Sequence, residues 1–174
     1  LDADSKQIIA ASVPYTGKWL GTIVGSSPNN LVTRFIEGGF LDEAEAYIRR
    51  LSKMKIETLS YNPAEAMVML GAICVDRERY DEAIEAFEQV LQVDPSHRQS
   101  HIELAGVFLK LKQPLKAAEH FKASLERRQD DPELRLKYAL ALLEGGQVEA
   151  ATEELKRSIQ LRPSAGAHHH LANL

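Results

Sequence analysis

The sequence predicts an all-α fold, a right-handed α-solenoid of stacked helix-turn-helix units of about 34 residues each, on three observations. The first is self-similarity at fixed spacing. Segments beginning at Ala64, Arg98 and Pro132 overlay without a gap, and their starts differ by 98 − 64 = 34 and 132 − 98 = 34. The second is periodicity: within each copy apolar residues recur at i, i+3, i+4 and i+7, the spacing of an amphipathic helix, in two successive stretches. The third is punctuation, since Gly38-Gly39, Gly145-Gly146 and Pro114 break the pattern midway through a unit, as residues that stop a helix do.

The stacked copies agree column by column. Leu70, Leu104 and Tyr138 share one place, Cys74, Phe108 and Leu142 another, and Phe87, Phe121 and Leu155 a third. Two columns are small: Gly71, Ala105 and Ala139 in the first helix, and Ala83, Ala117 and Ala151 in the second, residues that let paired helices approach closely. A lone unit cannot bury its apolar face, so consecutive units are expected to stack and shield one another.

In chain order, residues 1–24 come first as a helical cover or degenerate repeat. Their stretch "GKWLGTIVG" spaces Gly17, Gly21 and Gly25 four apart, one small face with Trp19, Leu20, Ile23 and Val24 available for burial or for the groove of a neighbouring molecule. Repeat 1, residues 25–58, carries Leu31, Phe35, Ala44 and Ile48 in the repeat's roles. It is followed by an insertion to residue 63, because the step from Ala44 to Ala83, 83 − 44 = 39, exceeds the step between later copies. Repeat 2 spans 64–97, repeat 3 spans 98–131 and repeat 4 spans 132–165. Ser27-Pro28, Asn62-Pro63 and Asp131-Pro132 mark helix starts, a capping side chain followed by proline at the first helical position. Asn62 with Glu65, and Ser96 with Gln99, have capping-box spacing. Residues 166–174 begin a fifth, truncated unit in which Leu171 and Ala172 take the places of Leu104 and Ala105.

Composition narrows function by exclusion. A chain of 174 residues with 44% hydrophobic and 26% charged residues and net charge −4 lacks the clustered cations that nucleic acid or an anionic membrane requires. No apolar run approaches the roughly 20 residues of a spanning helix. Cys74 is the single cysteine, which rules out an internal disulfide and only slightly favours the cytoplasm. With no initial Met and no leader pattern, the chain reads as a fragment of a longer protein.

These columns resemble the tetratricopeptide repeat, whose pattern is a large apolar residue, Leu-Gly, an aromatic, Ala, Phe and a final Pro at set places in about 34 residues. The resemblance covers about residues 25 to 165. Departures are Met67, His101 and Arg135 at the family's Trp place, and Gln129 where Pro95 and Pro163 stand in other units.

The resemblance implies that the first helix of each unit lines a concave surface, with unit positions 2, 5, 9, 12 and 13 facing it. Positions 5, 9 and 12 hold Val68, Ala72 and Val75, then Ile102, Gly106 and Leu109, then Leu136, Leu140 and Leu143, nine apolar residues. At about 100° per residue these point well away from core positions 4, 7, 8 and 11, so the first helices are apolar on two faces. One account packs the second face on the neighbouring unit's first helix. The other makes it an apolar groove for an amphipathic helix or extended peptide, rimmed by Glu65, Asp76, Gln99, Glu103, Lys110, Glu133, Lys137 and Glu144.

Relatives that hold acidic chaperone tails use Lys, Asn and Arg at set positions, and here those positions carry Val68, Ala72, Glu103, Glu133 and Lys137, or one unit earlier Asn29, Thr33, Met69, Gln99 and Glu103. Neither set forms a cationic clamp.

The expected function is therefore a scaffold that binds a protein or peptide partner, with no enzyme activity, no catalytic residue, no cofactor and no metal assigned. The alternatives are the repeat region of a larger enzyme, such as a glycosyl- or sulfo-transferase, and a scaffold that self-associates through its solenoid ends or N-terminal segment. Cys74 falls on the buried helix face, unlike a catalytic thiol. The consecutive His168, His169 and His170 point about 100° apart on a helix and cannot converge on one ion; they read as a helix start. His97 and His101 have i, i+4 spacing but no third ligand, and read as surface histidines.

Overall fold

The computed structural model describes residues 28–52, 63–126 and 130–174. Among them every regular element is a helix: α1 (Pro28–Glu37), α2 (Leu41–Ser52), α3 (Pro63–Asp76), α4 (Tyr80–Val93), α5 (Arg98–Lys110), α6 (Pro114–Glu126), α7 (Pro132–Glu144), α8 (Val148–Leu161) and α9 (Ala165–Ala172). Each odd-numbered helix from α1 to α7 packs on the even-numbered helix after it, and each even-numbered helix packs on the first helix of the next hairpin. First helices also touch directly, α1 on α3 and α3 on α5. Hairpins nested in sequential order are the α-solenoid that the repeat period predicts. The N-terminal segment, the insertion before Pro63 and the expected caps Ser27 and Asn62 lie outside the described residues.

The repeat columns are the core. Cys74, Ala83, Phe87, Leu104, Ala105, Ala117, Ala151 and Leu155 are completely shielded from solvent. One continuous apolar cluster runs from Val32 through Ala151, and a second, of Ala139, Leu155 and Ala167, joins α7, α8 and α9. Small residues at the crossings have a direct steric cause: a Cβ on Gly71 would lie 2.4 Å from the Phe87 ring. Phe87 is itself fully buried, so it has no free direction in which to yield.

The turn inside each hairpin is the same in all four. The residue at unit position 15 has a left-handed backbone: Gly39 and Gly146 at φ 77°, Glu78 and Lys112 at φ 58°. The following N–H reaches back to the carbonyl five residues earlier, as from Phe40 to Phe35 and from Gln113 to Phe108, both at 2.8 Å. The position-15 N–H bonds the carbonyl three residues back, as in Lys112 to Leu109 at 3.0 Å. Together these make the Schellman ending, which satisfies carbonyls that a helix C-terminus leaves open. Pro114 does not end a helix but opens α6.

One helix start follows the sequence reading, one has a cap that the sequence reading did not mark, and one departs from it. The Asp131 carboxylate accepts from the Leu134 N–H at 3.0 Å, and the Ser164 hydroxyl accepts from the Ala167 N–H at 3.2 Å. At α5, however, the cap is His97, whose Nδ1 accepts from the Ser100 N–H. The capping box expected of Ser96 and Gln99 does not form. Ser96 instead donates its N–H and hydroxyl to Asp94, at 3.1 and 2.7 Å, a local turn that outcompetes the cap.

Candidate protein-interaction surface

Helices α3, α5 and α7 are the first helices of three consecutive hairpins, and each turns one face into the core. In α3 that face is Ala66, Leu70, Ile73 and Cys74; in α5 it is Ser100, His101, Leu104, Ala105, Val107 and Phe108; in α7 it is Leu134, Ala139, Ala141 and Leu142. Buried residues at unit positions 3 and 10 widen this face beyond what the period alone marks.

The nine apolar residues of positions 5, 9 and 12 lie outside it. None is buried: Ala72 is exposed, and Val68, Val75, Ile102, Gly106, Leu109, Leu136, Leu140 and Leu143 are half-buried. Val68, Val75, Ile102, Leu109 and Leu143 lean with one side on the main core, while Leu136 and Leu143 lean on the second cluster. Leu140 belongs to neither, and a Cβ placed on Gly106 would meet nothing within 4 Å. Ile36 of α1, half-buried against the core, occupies the place of Val75 one unit earlier. The sequence reading did not include it; the longer offset that aligns Ala44 with Ala83 would have found it.

The polar residues of positions 2, 6 and 13 border this strip. Glu65, Asp76, Gln99, Lys110, Glu133, Lys137 and Glu144 are exposed and Glu103 is half-buried. Gln99 Nε2 donates to Glu103 at 2.5 Å, one turn along α5. Glu133 is ion-paired with Arg162, at the start of the link to α9. Met69, at the position of Glu103 and Lys137, packs against the core and makes the border apolar in α3.

The histidines do other work. His101, expected at the surface, is buried: its Nε2 bonds the Pro95 carbonyl at 3.0 Å and its Nδ1 lies 2.9 Å from His120 Nδ1. His97 is the α5 cap, so the two do not pair. His168, His169 and His170 lie on α9, where His168 Nδ1 bonds the Ser164 carbonyl at 2.9 Å. Among the described residues no three metal-ligating side chains converge. Cys74 is buried, and burial pushes its thiol above the usual value, the reverse of what a nucleophilic thiol needs. No helix of the described residues is long and apolar enough to cross a membrane.

Similar architecture is found in solved structures. MamA of Desulfovibrio magneticus RS-1 superposes with a TM-score of 0.71 at 22% identity, over 84% of this chain and 80% of that one. Another MamA crystal structure gives 0.66 at 16% identity, over 77% and 70%. The first tetratricopeptide domain of Spaghetti (RPAP3), bound to the HSP90 peptide SRMEEVD, gives 0.57 at 19% identity, over 63% of this chain and 88% of that one. At these identities the likeness is one of fold. No curated protein is matched. Tetratricopeptide-repeat family models match residues 29–96, 75–132 and 108–174, and with the repeat columns buried as that pattern requires, the chain belongs to the tetratricopeptide-repeat family.

Proposed function

We propose that this protein is a non-catalytic interaction scaffold that takes a peptide or amphipathic helix of a partner protein in the concave groove lined by α3, α5 and α7. The family fold is typical of protein–protein interaction scaffolds, and the peptide on the Spaghetti domain shows that an architecture of this kind can hold one. One observation carries the reading: nine apolar positions in three consecutive units share a face, and the protein's own packing buries none of them completely. A contiguous apolar surface of this sort on a folded chain marks a binding site, because leaving it in water costs about 25 cal/mol for each Å².

The acidic tail of a chaperone is not the expected partner. The positions that would form a cationic clamp hold Val68, Ala72, Glu103, Glu133 and Lys137, and two carboxylates there repel such a tail. The test is to place a charge on the strip and ask whether binding and folding separate. Ile102→Asp and Leu140→Asp are expected to abolish partner capture while far-UV circular dichroism and the melting temperature stay near wild type. Unfolding by both substitutions would mean that these side chains belong to the core, and the reading would fail.

A further inference from the structure

We infer that the α5–α6 hairpin is an acid-sensitive switch: its helix start at His97 and its helix crossing at His101 and His120 both depend on neutral imidazole, where the neighbouring hairpins carry groups that do not titrate between about pH 5 and 7. The inference goes beyond the interaction reading and does not depend on it. Where that reading holds, α5 is the middle helix of the strip, so acid disorganises the surface at its centre.

Hydrogen bonding fixes the state of each ring. The Pro95 carbonyl can only accept, so His101 Nε2, 3.0 Å from it, carries a proton. His101 Nδ1 in the neutral ring then accepts, and the proton in the 2.9 Å contact sits on His120 Nδ1. His97 Nδ1 accepts the Ser100 N–H at 3.3 Å and caps α5. A proton on His97 Nδ1 therefore removes the cap, and one on His101 Nδ1 sets two N–H groups against each other at the crossing. His101 is buried, so water does not replace the lost partner. A proton on His120 Nε2 leaves the crossing bond intact but adds a cation where burial, and then His101, hold that ring below its usual value against the pull of Glu119.

The neighbouring hairpins show what the same places hold when they do not titrate. At the unit positions of His101 and His120, α3–α4 has Met67 and Ala86, and α7–α8 has Arg135 and Glu154, ion-paired at 2.5 Å. At the place of His97, 131 − 97 = 34 residues on, the cap is the Asp131 carboxylate. Against the opposing effect of burial, the Leu134 N–H and Arg98 hold that carboxyl below its usual value, so it still caps in acid that protonates imidazole. On α9, His168 and His169 are exposed, and their protonation is met by water.

The surroundings do little to compensate. On α6, Lys116 adds like charge, 5.3 Å over the Phe108 ring that stacks on His120, and the opposing Glu119 is exposed. On α5, Gln99 holds Glu103 at 2.5 Å and Asp131 holds Arg98 at 2.5 Å, while Asp94 in the preceding link accepts from Ser96. The residues buried on α4 and α7 are apolar apart from chain polarity, and Arg135 of α7 is committed to Glu154. Cys74 of α3 and Tyr138 of α7 are pushed up by burial and stay neutral.

The test is native-state hydrogen exchange at about pH 7.5 and about pH 5.5, both above the ordinary carboxylate range, with protection corrected for the intrinsic rate. An imidazole of ordinary value about 6.5 that the fold keeps neutral costs about tenfold in protection over that interval. Wild type should lose at least about tenfold in α5. A variant with His97→Asp, copying Asp131, and with His101→Met and His120→Ala, copying Met67 and Ala86, should lose less than about twofold. His101→Arg with His120→Glu copies the α7–α8 pair and replaces the Met and Ala changes should the first variant not fold. A loss below about threefold in wild type, or an equal loss in the folded variant, overturns the inference. Ring-nitrogen NMR of the wild type needs no variant: near neutral pH His101 should carry its proton on Nε2 and His120 on Nδ1, and the opposite tautomers overturn it as well. No partner peptide enters, so the result bears on the switch alone.

Discussion

Unit position 15 makes the same backbone demand four times, and glycine answers it only at Gly39 and Gly146. Glu78 and Lys112 hold φ 58° with a Cβ, a conformation that costs an L-residue about 1–2 kcal/mol and costs glycine little. Lys112→Gly and Glu78→Gly are therefore expected to raise stability by about 0.5–1 kcal/mol each in urea denaturation, against a loss for Gly146→Ala. Those glycines were legible in the sequence as helix stops, whereas nothing in "KLKQP" or "DRERY" announces a left-handed residue. The His101–His120 pair was equally hidden, because it joins residues 19 apart on two helices. His101 Nε2–H donates to the Pro95 carbonyl, so its Nδ1 accepts and the His120 Nδ1–H donates. Burial, and then the neighbouring His101, hold His120 below its usual value against the opposing pull of Glu119, while its ring stacks on Phe108 beneath the Lys116 ammonium. The unfolded chain then takes up the proton first. Stability should be level above about pH 7 and fall as pH drops through about 6.5, and His120→Gln should flatten that slope in thermal melts.

At the scale of the element, the joints between hairpins are held by polar contacts that do not repeat. Between the first two hairpins, the Glu45 carboxylate on α2 accepts from Arg49 at 3.0 Å and from Arg79 just before α4, while Arg77 bonds Asp42 at 2.6 Å. Between α5 and α7 the link is Arg98 to Asp131 at 2.5 Å. Inside the α7–α8 hairpin, Glu154 bridges Arg135 at 2.5 Å and Arg157 at 2.8 Å. Apolar columns recur in every unit because every hairpin solves the same packing problem, so they were readable from one copy to the next. The ion pairs between hairpins occupy different unit positions at each joint and left no periodic trace, whereas Arg135–Glu154 inside its hairpin takes the places of His101–His120 one repeat earlier with different chemistry. The Arg79 hydrogen bond, against the opposing effect of burial, holds Glu45 below the usual carboxylate range. Its contribution is accordingly present above about pH 4.3 and lost as pH falls through the lowered value. Glu45→Gln is expected to cost about 1–2 kcal/mol at neutral pH, because it leaves Arg79 with Glu82 alone at 3.2 Å. Urea denaturation measures the loss, and hydrogen exchange should place its first effect in α1 and α2.

For the whole molecule, a stack of hairpins has stability that is close to a sum of unit terms and nearest-neighbour terms, so damage should travel only as far as the packing carries it. The two apolar clusters set those distances. Leu104 is fully buried within the cluster that runs continuously from Val32 on α1 to Ala151 on α8, whereas Leu155, just as buried, sits in the smaller cluster with Ala139 and Ala167. Leu104→Ala and Leu155→Ala remove the same atoms from equally dry sites and should each cost about 2–5 kcal/mol locally. Their reach should differ. Under native-state hydrogen exchange, Leu104→Ala is expected to lower protection together from α3 through α8, since the helices on both sides of it share its cluster. Leu155→Ala should lower protection in α7, α8 and α9 and leave α3 and α4 at wild-type values. It follows that the interaction strip, which is built on α3, α5 and α7, is more exposed to damage at Leu104 than at Leu155, although Leu155 is one of the repeat-column residues that the sequence marks most plainly. Protection that falls evenly along the chain in both variants would mean that the hairpins unfold as one block and that the nearest-neighbour description does not hold for this protein.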